Sequence, residues 1–256
     1  MPAPPLRLLP LGVGEAFTRL YYTFGLAVEY DGRWLLIDCP HPIRKMIHEA
    51  GQAAGLPFDL EQVEAVLITH LHADHVSGVE DFGFFNYFAL GRRARVVIHP
   101  ELVGPLWDDL LAAGMGRMRF QAGEPFEPID RERYFETIPL EPGQRLTLGP
   151  FEVESHPTTH SLPCQGYRVT AAGRTLAVSG DTAFDPVLLA WLTCNAHLIV
   201  HEVTTHDPPG MHTHLTQLAA LPSELRERLR LVHYPDDYDL DASPIRPLRQ
   251  GVVELV

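Results

Sequence analysis

The chain has 256 residues, 45% of them apolar, and a formal net charge of −13. That length suits one α/β domain over residues 1–256, and so acidic a balance argues against a large nucleic-acid footprint, which needs a basic face. No apolar window is long enough for a membrane span, and Met1-Pro2-Ala3-Pro4-Pro5-Leu6-Arg7 lacks the regions of a secretory signal, so the expectation is a cytoplasmic protein.

In chain order, Tyr21 to Tyr30 and Arg33 to Ile37 predict two strands joined at Asp31-Gly32, a strong hairpin signal. Helix-compatible spacing follows from Pro42 to Ala50 and stops at Gly51. Val63 to Ile68 is a short apolar run that reads as a buried strand. Ala94 to Ile98 predicts another, with a helix from Pro100 towards Ala113. Gly114 to Pro142 is loop-like, rich in Gly, Pro and mixed charge. Strands return at Arg145 to Leu148, Phe151 to Ser155, Gly166 to Thr170 and Thr175 to Ser179. Asp185 to Thr193 predicts a helix and His197 to Val200 a buried strand. Leu215 to Leu229 predicts a helix broken at Pro222, before a strand at Leu231-Val232. The alternation suits sheets packed face to face with helices outside. Cys39, Cys164 and Cys194 have no C-x-x-C spacing and lie in or beside apolar runs, so they are expected to be buried, quiet thiols.

The most informative segment is Thr69-His70-Leu71-His72-Ala73-Asp74-His75, directly after the Val63 to Ile68 strand. It sets three imidazoles and a carboxylate at a strand end, where α/β sheets place their ligand sites. Neutral imidazole nitrogens and carboxylate oxygens are ligands for zinc and similar divalent ions. All four cannot reach one ion from a tight turn, but they divide into His70 with His72 and Asp74 with His75. Three further candidates also follow strands: His160, Asp181 in Ser179-Gly180-Asp181-Thr182, and His233. His156, four residues before His160, competes with it.

These motifs resemble those of the metallo-β-lactamase-fold hydrolases, in particular the phosphodiesterase branch that includes ribonuclease Z and the cyclic-phosphate phosphodiesterase of phosphonate breakdown. The similarity runs from Leu35-Leu36-Ile37-Asp38 through H-x-H-x-D-H, a His before Gly166-Tyr167 and Ser-Gly-Asp-Thr to the late His233. It implies a four-layer αββα sandwich holding two divalent ions, zinc first, with manganese or iron as alternatives. By resemblance, His70, His72 and His160 hold one ion, Asp74, His75 and His233 the other, and Asp181 bridges them. His160 is preferred to His156 for its distance to Gly166-Tyr167.

The implied chemistry is phosphodiester hydrolysis by a hydroxide bridging two ions, with a separate acid for the leaving alkoxide. Asp74, Glu202, His212 and His214 are the candidate catalytic groups. His212 is favoured as the acid with His214 close behind, Glu202 would orient the imidazole, and Asp38 would brace the first motif from behind. His41 is a candidate substrate contact, whereas His48 and His99 read as structural or surface residues. The arm that transfer-RNA-maturing ribonuclease Z enzymes carry has no room between His160 and Asp181, where a short hairpin turns at Ala171-Ala172-Gly173. The expected substrate is therefore a small or cyclic phosphodiester, with no large nucleic acid and no membrane partner; a homodimer is left open. The alternatives are a ribonuclease Z-like nuclease and a lactone or thioester hydrolase on the same metals.

Overall fold

The structure, a computed structural model, describes residues 4–256. Its first strands are β1 (Arg7–Gly12), β2 (Gly25–Tyr30), β3 (Arg33–Ile37), β4 (Val63–Leu67) and β5 (Ala94–Ile98). A small ribbon, β6 (Arg117–Met118) with β7 (Glu127–Pro128), precedes β8 (Phe135–Pro139). The second half supplies β9 (Arg145–Leu148), β10 (Phe151–Pro157), β11 (Gln165–Ala171), β12 (Arg174–Val178), β13 (Leu198–Glu202), β14 (Leu229–Val232) and β15 (Glu254–Leu255). Two large sheets result, in the orders β15-β1-β2-β3-β4-β5-β8 and β14-β13-β12-β11-β10-β9.

The sheets pack face to face, and helices cover both outer faces, which gives the αββα sandwich. Alternate residues of the first sheet, such as Leu26, Leu35 and Leu67, share an inner core with Val153, Val169 and Leu176 of the second. The residues between them, such as Ala27, Leu36 and Val66, point outward. They pack under helix α1 (Ile43–Ala54), through Met46 and Ile47, and under helix Val79–Phe84, through Phe82. Leu188 and Leu192 of helix Pro186–Thr193 cover the second sheet. No described helix is long and apolar enough to cross a membrane.

Both foreseen hairpins form. Asp31 and Gly32 have φ of 52° and 75°, and Ala172 and Gly173 have 49° and 76°, as the tight turn between twisted antiparallel strands requires. Elsewhere the structure corrects the reading. Helix α1 runs past Gly51 and ends at Gly55, whose φ of 65° makes the left-handed cap; Leu56 N–H closes it on Gly51 O at 2.9 Å. The helical run after Pro100 opens into a wide π turn over Leu106–Leu111, just after Pro105, which has no N–H to donate. The loop-like stretch hides β8, an edge strand paired in parallel with β5. Its Phe-Glu-Thr-Ile-Pro sequence is half polar because one side has no neighbour. Cys194 is exposed, unlike Cys39 and Cys164, because it ends a surface helix.

This topology builds an edge. β3, β4 and β5 run parallel in one sheet, and β12, β13 and β14 run parallel in the other. Their carboxyl ends meet on one side of the sandwich, so Asp38, the His70–His75 turn, Asp181, Glu202 and His233 gather there.

Candidate active site

Seven side chains from both sheets converge at this edge. His70 and His72 leave β4, and Asp74 and His75 lie on the single turn of helix α2 (Ala73–Val76). His160 follows β10, Asp181 follows β12 and His233 follows β14. His70 Nε2 lies 2.9 Å from His72 Nδ1, which in turn lies 3.2 Å from His160 Nε2. On the other side Asp74 Oδ2 is 3.2 Å from His75 Nε2 and 3.3 Å from His233 Nε2. Asp181 Oδ2 stands between the two groups, 3.5 Å from His75 Nε2, 3.4 Å from His233 Nε2, 3.9 Å from His70 Nε2 and 4.0 Å from His160 Nε2. Each trio has its ligand atoms within 4.8 Å of one another, a spacing that could hold an ion.

Hydrogen bonds aim these imidazoles. Asp38 accepts from Thr69 N–H and Thr69 Oγ1–H, each at 2.7 Å, and from His75 Nδ1 at 2.7 Å. Thr69 Oγ1 in turn accepts from His70 Nδ1 at 2.9 Å. One fully buried carboxylate thus puts the Nδ1 proton of two rings outward and leaves both Nε2 atoms facing the centre. The backbone is strained to do so: Asp38 and His233 have φ of 61° and 60°, rare for residues other than glycine and common at functional sites. Gly180 turns the chain at φ 63° so that Asp181 points inward, and a Cβ there would stand 2.9 Å from Gln165 O.

The donor set fits divalent ions. His75 Nε2 is buried with no hydrogen-bond partner, although two carboxylate oxygens lie within 3.5 Å. An ion placed among these three atoms would satisfy that buried nitrogen. Burial holds His70 well below its usual pKa, and also lowers His72 and His160, keeping them neutral as ligands must be. Burial works against the Asp181 charge, but His233 and His75 outweigh it and hold the carboxyl well below its ordinary range. Burial likewise opposes charge on His75 and His233, yet the pull of Asp181 raises both. Two carboxylates, Asp74 and Asp181, held below their ordinary range, thus favour positive charge here, which a bound cation would supply.

His212 faces the same centre, its Nδ1 3.3 Å from Glu202 Oε1 and 3.9 Å from Asp181 Oδ2. Burial opposes its charge, but Glu202, and after it Asp181 and Glu15, raise its pKa to about 9. Glu202 Oε1 accepts from Thr182 N–H and Thr213 N–H, each at 3.0 Å, so one carboxylate ties the Asp181 loop to the His212 loop. His214 is turned elsewhere: its Nδ1 accepts from Thr216 N–H at 3.2 Å and caps helix Leu215–Ala219. His156 packs against Trp191, outside the cluster, and its Nδ1 donates to Pro157 O. His41 Nδ1 pairs with Asp81 at 2.9 Å on the surface. His99 caps the turn Pro100–Leu102. The sequence reading missed Glu15, Phe17 and His206, which line a cavity beside His212. Nothing in their local spacing signals that place.

The fold is that of the metallo-β-lactamase-fold proteins. The metallo-β-lactamase-fold protein YhfI from Bacillus subtilis superposes with a TM-score of 0.75 at 17% identity, covering 99% of this chain and 100% of that one. A diphosphatase from the PhnP family does so with a TM-score of 0.71 at 15% identity, covering 97% of each. The chain belongs to the family described as Anti-Pycsar protein Apyc1, whose model matches residues 6–255. Anti-Pycsar protein Apyc1 from Saccharibacillus brassicae is 34% identical over 235 residues, 91% of each chain.

Proposed function

We propose that this chain is a two-metal phosphodiesterase that hydrolyses a small cyclic phosphodiester, a cyclic nucleotide first of all. The observation that carries the reading is Asp181 Oδ2, which stands within 4.0 Å of ligand nitrogens from both trios. His70, His72 and His160 would hold one ion, Asp74, His75 and His233 the second, and Asp181 both. Zinc suits this nitrogen and oxygen set, as manganese and iron do. Bound there, the ions would polarise the phosphoryl oxygens and supply a nucleophile at neutral pH.

The chain's own groups do the rest. His212 carries the proton that a leaving alkoxide needs, and Glu202 holds the ring towards the centre while keeping it protonated. Asp38 and Thr69 set the tautomers of His70 and His75. The metal trios alone would serve lactones or thioesters as well, but those reactions do not need the Glu202–His212 pair, which favours phosphodiester cleavage. Two features favour a small substrate over folded RNA: the four-residue-tight turn between β11 and β12 carries no arm, and the cavity beside His212 is only about 230 Å³.

The test is a turnover panel with added zinc or manganese: cyclic nucleotides, bis(p-nitrophenyl) phosphate, a lactone and nitrocefin. The phosphodiesters should be cleaved and the other two spared. Faster turnover of the lactone or nitrocefin would overturn the reading.

A further inference from the structure

We propose that Phe17 is the platform on which the nucleobase of a cyclic nucleotide stacks, in the cavity that adjoins the metal-binding residues. The inference rests on the phosphodiesterase reading above and assigns the part of the substrate that does not react. Phe17, Glu15, His206 and Pro209 line this cavity together with His212 and His233, which face the metal-binding residues. A phosphodiester held at the centre would have this space beside it for what its sugar carries. At about 230 Å³ the cavity is smaller than the roughly 300–1,000 Å³ that takes a drug-sized ligand whole, which suits one planar ring system.

Phe17 is 88% exposed, so it adds almost nothing to the core. Its loop is nevertheless firmly anchored. Asp236 accepts from Thr18 Oγ1 at 2.5 Å, Arg19 N–H at 2.8 Å and Leu20 N–H at 3.2 Å. Glu15 N–H donates to Tyr234 O at 3.2 Å, next to His233, which sets the loop's register against the centre. Gly14 allows the tight turn, because a Cβ there would lie 2.5 Å from Thr18 Cγ2. A bare aromatic ring on a fixed loop beside a reaction centre is arranged for contact with a ligand.

Glu15 decides which end of the substrate enters. Its carboxylate, 3.2 Å from His206 Nε2, repels a phosphate and so leaves the cavity to the uncharged base. Stacking tolerates every base because each has a π face, so the platform would bind bases in general and select against substrates that have none.

The experiment compares KM and kcat for 3′,5′-cyclic AMP, 3′,5′-cyclic CMP and the baseless 1-deoxyribose 3′,5′-cyclic phosphate. Phe17→Ala should raise KM for both nucleotides by roughly 5- to 150-fold, the range measured for removing one base–aromatic stack. It should leave kcat and the baseless substrate nearly unchanged. Phe17→Trp should restore the nucleotide KM, and Phe17→Leu, apolar without a π face, should not. Equal losses on all three substrates, or a Leu variant as good as wild type, would overturn the platform. Cleavage of bis(p-nitrophenyl) phosphate without any cyclic nucleotide turnover by wild type would instead overturn the substrate reading beneath it.

Discussion

His212 and His214 stand two positions apart and illustrate how much a single ring's direction decides. Only His212 faces the centre, held near Glu202, and its pKa is raised to about 9. A donor with a raised pKa is protonated below that value and lost above it. His212→Ala should therefore cost roughly two to four orders of magnitude on a substrate with a poor alkoxide leaving group. It should cost far less with p-nitrophenolate, which leaves without a proton. Glu202→Gln removes the charge that raises the pKa, so the alkaline fall in activity should move to lower pH. pH–rate profiles of the two proteins check this; an unmoved limb would mean that another group supplies the proton. The local H-x-H-x-D-H order makes four candidate ligands legible from the chain alone, whereas the direction of His212 depends on Glu202, ten residues away on β13.

At the scale of an element, His214 belongs to the helix it starts. Its Nδ1 accepts from Thr216 N–H, and Gln217 Oε1 accepts from its backbone N–H at 3.0 Å, a reciprocal cap. His214→Ala should lower stability by about 0.5–2 kcal/mol in thermal or urea denaturation and leave the leaving-group dependence intact. Loss of that dependence in His214→Ala would reverse the roles of the two histidines. The elements that sequence pattern made visible, such as β3 and β12, have apolar runs bounded by turn residues. β8 was invisible because an edge strand buries only part of itself. α1 was cut short because two glycines, Gly51 and Gly55, both look like caps, and only the second adopts the left-handed conformation.

For the whole molecule, the proposed ligands join the two sheets, with four from the end of β4 and three from the other sheet. A ligand that binds only the folded state stabilises it by about 2.7 kcal/mol at one hundred times its Kd. Zinc or manganese should then raise Tm by about 5–10 °C over chelator-treated protein, given roughly 2–4 °C per kcal/mol for a chain of this size. Asp181→Ala should abolish most of that shift along with activity. Calorimetry with and without chelator decides it, and an identical Tm would count against ions shared between the sheets.

The sequence by itself made visible most strands and helices and a set of candidate metal ligands, because both are written in local pattern: apolar runs of strand length, and donor residues just past their ends; the four-layer arrangement came through resemblance. Tertiary structure decided what depends on residues far apart in the chain. The parallel strands bring Asp38, Asp181, Glu202 and His233 to one edge. Hydrogen bonds from Asp38 and Thr69 point two imidazoles at that edge, and a loop pinned by Asp236, more than 200 residues later, carries Phe17 to its rim. Such contacts leave no periodicity in the chain, since neither partner constrains its own neighbours, and only the folded chain reveals them.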